Sequence, residues 1–264
     1  GTGGAVKFAE KHITGRFLVL NSDIICSLDI GKMVEFHKKN NAVSTISLWP
    51  VENVSEFGVA DVKKDGNIVG FVEKPSSEEA PSDLINAGAY CIEPTVLDYI
   101  KPGELVSMEK EIFPKIIKDT GRFFGYKFNG YWMDIGRISS YLDVHKFLLD
   151  KKGLDNFLGE NIEIKSELKK STIGKNVYIG KNCEIENAII FDNVEIKNNT
   201  KIYNSVIGEN ALIGNSSNIK DSAIGDKEQI DESTTLENKI IWTQQKPKGY
   251  PNKQIRNVIE KKVE

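Results

Sequence analysis

The chain has 264 residues, 39% of them hydrophobic and 28% charged, with a formal net charge of −3. That length suits one or two domains with a sizeable core, and the near-neutral charge offers no footprint for nucleic acid or an anionic membrane. No apolar run approaches the roughly 18 residues of a membrane span, and the three cysteines, Cys26, Cys91 and Cys183, without a C-x-x-C pair, suit a reducing cytoplasm.

The first residues are Gly1-Thr2-Gly3-Gly4, with no methionine and no secretory h-region. The chain is therefore expected to be processed, trimmed or the latter part of a longer protein. Ala5, Val6, Phe8, Ala9 and Ile13 follow at helical spacing, so the glycines read as a turn opening a helix with backbone N–H groups free for an anion or a base edge. Next comes Arg16-Phe-Leu-Val-Leu-Asn-Ser-Asp23, whose four apolar residues with polar ends read as a strand buried on both faces of a parallel sheet. Ligands of open α/β sheets sit beyond the carboxyl ends of strands. Asp23 lies there, as a ligand to metal or phosphate or simply as the cap of a following helix.

Asp29 is placed to cap a helix turning Met33, Val34 and Phe36 inward, and Val43 to Trp49 alternates as a strand. Val59–Val62 and Ile68–Val72 flank Asp65-Gly66, a hairpin dipeptide. Residues 85–92 form another strand, and 94–100 and 108–118 two helical stretches. Phe123–Phe128 is a strand leading into Gly130–Gly136, and Ser139 caps a helix through Leu149. Strands alternating with helices indicate an α/β layered domain ending near Lys152.

From Asn161 the helical period stops. Ile173, Ile190, Ile207, Ile224 and Ile241 stand 17 residues apart, as do Leu168, Ile185, Ile202, Ile219 and Leu236. A third set is Ile179, Ile196, Ile213 and Ile230, with Ile162 taken as one period upstream. Within a period the anchors are spaced six, six and five, and a small side chain such as Ser171, Cys183, Ala188, Thr200 or Ser205 stands two residues before each. Three anchors per repeat describe a three-sided coil, a left-handed parallel β-helix of hexapeptide type over 160–241 with a tail at 242–264.

Several short motifs occur in order: Thr2-Gly3-Gly4-Ala5, Asn21-Ser22-Asp23, Phe57-Gly58-Val59, Phe71-Val72-Glu73-Lys74-Pro75, Asn86-Ala87-Gly88-Ala89-Tyr90 and Trp132-Met133-Asp134-Ile135-Gly136. Together with the coil they resemble the sugar-1-phosphate nucleotidyltransferases, most closely the mannose-1-phosphate guanylyltransferases. The resemblance implies a nucleotide-diphospho-sugar transferase domain (Rossmann-like, GT-A type) over residues 1–152, N-terminally incomplete. It also implies the joining of a nucleoside triphosphate, GTP, to a sugar 1-phosphate, mannose 1-phosphate, with release of pyrophosphate. Asp23 and Asp134 match the family's pair of metal ligands, for Mg²⁺. Lys74 matches the lysine on the sugar phosphate and Glu73 the carboxylate on sugar hydroxyls. Asn86 and Gly88 match sugar-contacting positions, Gly58 a close-approach glycine, and Thr2, Gly3 and Gly4 part of the nucleotide-base loop.

The pattern departs from the family at Ser22, commonly Gly, and at Arg137, commonly Thr. The glycine-rich triphosphate signature with its arginine and lysine is not in the chain. An upstream portion of about 80–100 residues is therefore expected to complete the site, and the 264 residues alone to be inactive. Glucose-1-phosphate thymidylyl- or uridylyltransferase, heptose-1-phosphate guanylyltransferase and a non-catalytic sugar-nucleotide-binding subunit are the alternative readings. A hexapeptide acyltransferase is rejected, since the three histidines, His12, His37 and His145, all precede the coils. Open coil ends and an extended sheet surface favour a homo-oligomer.

Overall fold

The computed structural model describes residues 1–243; the expected tail lies outside them beyond Thr243. Two compact units divide the chain, Gly1–Met133 and a second that starts at Asp134. The division falls before the helix at Ile138, whereas the change in periodicity places it near Lys152.

In the first unit, helix α1 (Thr2–Phe8) precedes strands β1 (Phe17–Leu20) and β2 (Ile24–Cys26), helix α2 (Ile30–Lys39), and strands β3 (Ser44–Pro50), β4 (Gly58–Val62), β5 (Ile68–Glu73) and β6 (Leu84–Ile92). Helix α3 (Phe113–Thr120) and β7 (Phe123–Lys127) follow, and β8 (Trp132–Asp134) runs to the first residue of the second unit. The main sheet runs β5-β4-β6-β3-β7, with β1 also on β6. Only β3 and β7 are parallel in it; β3–β6, β4–β5 and β1–β6 are antiparallel. The expected both-face burial of Phe17–Leu20 is thus corrected. Beside β6 the strand keeps Phe17 and Val19 on the core while Leu18 and Leu20 stay 41% and 53% exposed. Alternation across a strand produces this wherever one face is covered.

The expected apolar face of the first helix is also corrected. The helix stops at Phe8, which is 82% exposed, and only Gly3 in it is buried. Its glycines form the first helical turn, close against residues 104–106, so backbone proximity takes the place of an apolar stripe. Asp29 caps α2 as expected, its Oδ1 accepting from Lys32 N at 3.0 Å. The Asp65-Gly66 hairpin forms, with Gly66 at φ +87° and Asp65 Oδ1 accepting from Asn67 N. The stretch at 94–100 is 3₁₀, and the one at 108 opens with a single π turn, Met108–Ile112, before α3. Phe113 then packs its ring on Phe71, Tyr90 and Phe123 at 5.6, 5.8 and 4.9 Å, tying β5, β6 and β7 into one core.

In the second unit helix α4 (Ile138–Lys151) is capped by Arg137 with Ser140, not by Ser139, which lies inside its first turn. It packs on the coil strands Glu184–Ile190 and Lys201–Ile207, and His145 Nε2 meets Thr172 Oγ1 at 2.8 Å. The coils stack in parallel with the 17-residue register: Ile190 on Ile207, Ile185 on Ile202, Ile196 on Ile213. The first coil differs. Ile164, not Ile162, stacks on Ile179, and Leu158 on Ile173, each 15 residues apart. Leu168 still stacks 17 residues below Ile185, so two residues are dropped between Ile164 and Leu168. The small residues before the anchors are buried, as their spacing predicts.

The corners were not read from the sequence. Asn176, Asn182, Asn187, Asn193, Asn199, Asn204 and Asn210 all turn the coil in the left-handed region, at φ between 47° and 60°. Asn tolerates that conformation better than other non-glycine residues, and its amide also bonds the corner above, as Asn187 Nδ2 to Asn204 Oδ1 at 2.9 Å. Asn199→Ile should therefore cost about 1–3 kcal/mol, and Asn199→Gly much less. Thermal unfolding of both variants checks this; equal losses would remove the conformational explanation.

Candidate active site

Three elements of the first unit converge on one region. At the end of β5, Glu73 lies opposite Gly58 of β4. A Cβ at position 58 would stand 2.7 Å from Glu73 Oε2 and 2.5 Å from Phe71 Cζ, so the glycine is what admits the carboxylate. Lys74 then turns at φ +53°, its N–H on Phe57 O at 2.9 Å. A lysine in that region is strained by roughly 1–3 kcal/mol, a cost that clusters at functional sites.

On β6 the register against β3 slips between Ile46–Tyr90 and Leu48–Asn86, a bulge centred on Ala87 and Gly88. Bulges re-aim side chains beside active sites. Gly88 has φ +79°, and a Cβ there would lie 2.4 Å from Ile24 Cδ1. Its carbonyl accepts from Asn21 N at 2.8 Å and its N–H donates to Asn86 Oδ1 at 3.1 Å. Asn86 Nδ2 donates to Tyr90 Oη at 2.9 Å, and Trp132 Nε1 to Ala87 O at 3.0 Å. The bulge therefore draws the turn after β1 to the strand carrying Asn86. Asp23 in that turn is exposed and is followed by strand β2, so it caps no helix.

Thr2 Oγ1 donates to Glu109 Oε2 at 3.0 Å and accepts from Met108 N at 3.0 Å. Gly3 N donates to Val106 O at 2.9 Å, so that amide is not free for a base as expected, and Gly4 sits against Glu104 O. Asp134 belongs to the second unit; it is half-buried and its Oδ1 accepts from Gly136 N at 3.0 Å.

Burial pushes the Glu73 carboxyl above the usual range, and the Glu109 charge adds to this against the opposing pull of Lys74 and Lys110. Burial also raises the Tyr90 phenol; the Asn86 hydrogen bond opposes it, while Glu109, Glu73 and Asp23 all contribute upward. Tyr90 and Glu109 thus belong to the same region, and no motif had singled out Glu109. No described residue bonds or ion-pairs the side chains of Asp23, Glu73 or Lys74. Among the described residues no group of three or more His, Cys, Asp or Glu is placed to hold a metal by itself, and no helix is long and apolar enough to cross a membrane.

A partly buried carboxylate that no described residue hydrogen-bonds costs stability when ionised. Because the folded state raises the Glu73 pKa, the native protein binds its proton more tightly than the unfolded chain does, and stability falls as pH rises through that window. Glu73→Gln should therefore unfold at a higher temperature than the parent at pH 8, with the gain vanishing by pH 4. A constant difference across that range would contradict the assignment.

The first unit thus gathers acids, an amide and a lysine at the strand ends of its sheet, and a hexapeptide β-helix follows along the chain. The chain belongs to the nucleotidyl transferase family, whose model matches residues 1–151. Residues 158–262 match a second family model, the GMPPB C-terminal domain. The chain is 42% identical over 149 residues to a mannose-1-phosphate guanyltransferase of Yarrowia lipolytica, covering 54% of this chain and 39% of that protein. It is 39% identical over 145 residues to the mannose-1-phosphate guanylyltransferase catalytic subunit beta of Dictyostelium discoideum, with the same coverage of each. A glucose-1-phosphate adenylyltransferase of Fusobacterium nucleatum is 33% identical over 200 residues, 70% of this chain and 52% of that one. The chain spans about half the length, or less, of these relatives.

Proposed function

We propose that this protein transfers a nucleotidyl group from a nucleoside triphosphate to a sugar 1-phosphate, giving a nucleoside-diphosphate sugar and pyrophosphate. GTP and mannose 1-phosphate are the proposed pair, with GDP-mannose as product. The observation that carries the reading is the end of β5, where a half-buried carboxylate and a lysine at positive φ stand side by side opposite a close-approach glycine, neither side chain bonded or ion-paired by a described residue. Hydroxyls suit the first and a phosphate the second.

In the reaction a phosphate oxygen of the sugar attacks the α-phosphorus in line as pyrophosphate leaves. Positioning and charge neutralisation do most of the work. Lys74 holds the sugar phosphate, Glu73 and Asn86 orient hydroxyls, and Gly58 and Gly88 let the sugar approach the backbone. Mg²⁺ suits the donors available: it takes one or two carboxylates together with substrate phosphates and waters. No described residue bonds the Asp23 side chain, and Asp134 has an oxygen beyond the one bonded to Gly136. When bound, the ion would supply charge neutralisation on the phosphates. The homo-oligomer expected from the coils completes the reading.

Pyrophosphate release by the full-length protein, measured with each of the four NTPs against mannose, glucose and heptose 1-phosphates, tests it. Turnover with GTP and mannose 1-phosphate is the expected result. Turnover with another pair would replace the substrates. Binding of GDP-mannose without turnover on any pair would make the protein a sugar-nucleotide-binding module.

A further inference from the structure

The π turn Met108–Ile112 carries a carboxylate, Glu109, that the reading above does not use. Its Oε2 takes two hydroxyl protons, from Thr2 Oγ1 at 3.0 Å and Ser107 Oγ at 2.8 Å. Those bonds fix its rotamer. Its other oxygen, Oε1, receives no hydrogen bond from any described residue, although the side chain is only partly exposed. The turn cannot swing away easily, because Phe113 directly after it is fully buried against Phe71 of β5 and Tyr90 of β6. These are the two strands that carry Glu73 and Asn86. Single π turns within helices occur often at functional sites.

We infer that Glu109 is a further substrate-binding residue of this site, whose Oε1 accepts a hydrogen bond from a hydroxyl of the bound sugar while Oε2 ties the sugar pocket to the Thr2 segment. The inference rests on the sugar-phosphate reading of the region and names a specificity determinant within it. Its charge is felt at both Glu73 and Tyr90. No Lys or Arg ion-pairs with Glu73 or Glu109 among the described residues. Two neighbouring carboxylates with unfilled acceptor capacity, neither ion-paired by Lys74, Lys110 or another described cation, match a neutral donor of several hydroxyls. A polyol satisfies both acids without adding charge, and a pair of acceptors at fixed angles distinguishes one hydroxyl configuration from its epimer better than Glu73 alone.

The test is calorimetric binding of mannose 1-phosphate, its 2-, 3-, 4- and 6-deoxy analogues, and inorganic phosphate to the parent protein, Glu109→Gln, Glu109→Asp and Glu73→Gln. Loss of a hydrogen bond to a charged acceptor should weaken mannose 1-phosphate about 10-fold or more in Glu109→Gln. One deoxy analogue should bind that variant and the parent equally, because the hydroxyl it lacks is the one Glu109 reads. Phosphate binding should not change. A residue that merely held the Thr2 helix in place would weaken every ligand by the same factor, or none, and either pattern overturns the inference. Glu109→Asp keeps the charge; should Glu109→Gln fail to fold, an unchanged deoxy profile in Glu109→Asp overturns it equally. If the parent binds no sugar phosphate at all, the sugar-phosphate reading falls and this inference with it. If Glu73→Gln loses binding and Glu109→Gln does not, this inference alone falls.

Discussion

Asp23→Asn is expected to lower turnover by about 100-fold or more and to raise the Mg²⁺ concentration needed for half-maximal rate. The carboxylate stands exposed in the turn held to Gly88, with no donor to satisfy it among the described residues. An amide of the same shape keeps the turn but removes the charge that a hard cation requires. Asp134→Asn should behave alike, although its bond from Gly136 N survives in part through the amide oxygen. Titrating rate against Mg²⁺ for the parent and the two single variants decides this. A near-parental rate with an unchanged Mg²⁺ requirement in either variant would remove that residue as a metal ligand.

Ile213→Ala should destabilise the second unit by about 2–5 kcal/mol. Ile213 is fully buried, stacked on Ile196 on one side and Ile230 on the other, so the truncation opens a cavity that touches two coils at once. Each coil buries its anchors only against its neighbours, so a gap in the middle of the ladder is felt on both sides. Lys201→Ala on the outer surface, which removes an ion pair to Glu184 between half-exposed side chains, should change stability by less than about 1 kcal/mol. Denaturant unfolding of both variants supplies the comparison. Similar midpoints would mean that the ladder does not hold the unit together.

The coil was legible because its cause is local and repeated: an aliphatic anchor at a 17-residue period can stack only on its copies. The hairpin at Asp65-Gly66 and the cap at Asp29 were legible for a similar reason, each being satisfied within a few residues. The αL corners could have been read from Asn recurring on the same period, since backbone strain selects that residue there. The first coil could not, because the two residues dropped before Leu168 leave no anchor to count from.

By itself, then, the sequence determined an α/β domain, a hexapeptide coil and the strand-end residues that bear charge. Only the tertiary structure decided that Phe17–Leu20 has one open face, since burial of a strand depends on which neighbours pair with it and not on its own apolar run. It likewise decided that the Gly3 amide is spent on Val106, that a bulge at Gly88 brings the Asp23 turn to Asn86, and that Glu109 joins Thr2 across 107 positions of chain. Each of these depends on a hydrogen-bond partner or a register shift contributed by a distant segment. Residue type and spacing hold no trace of such partners until the sheet has closed around them.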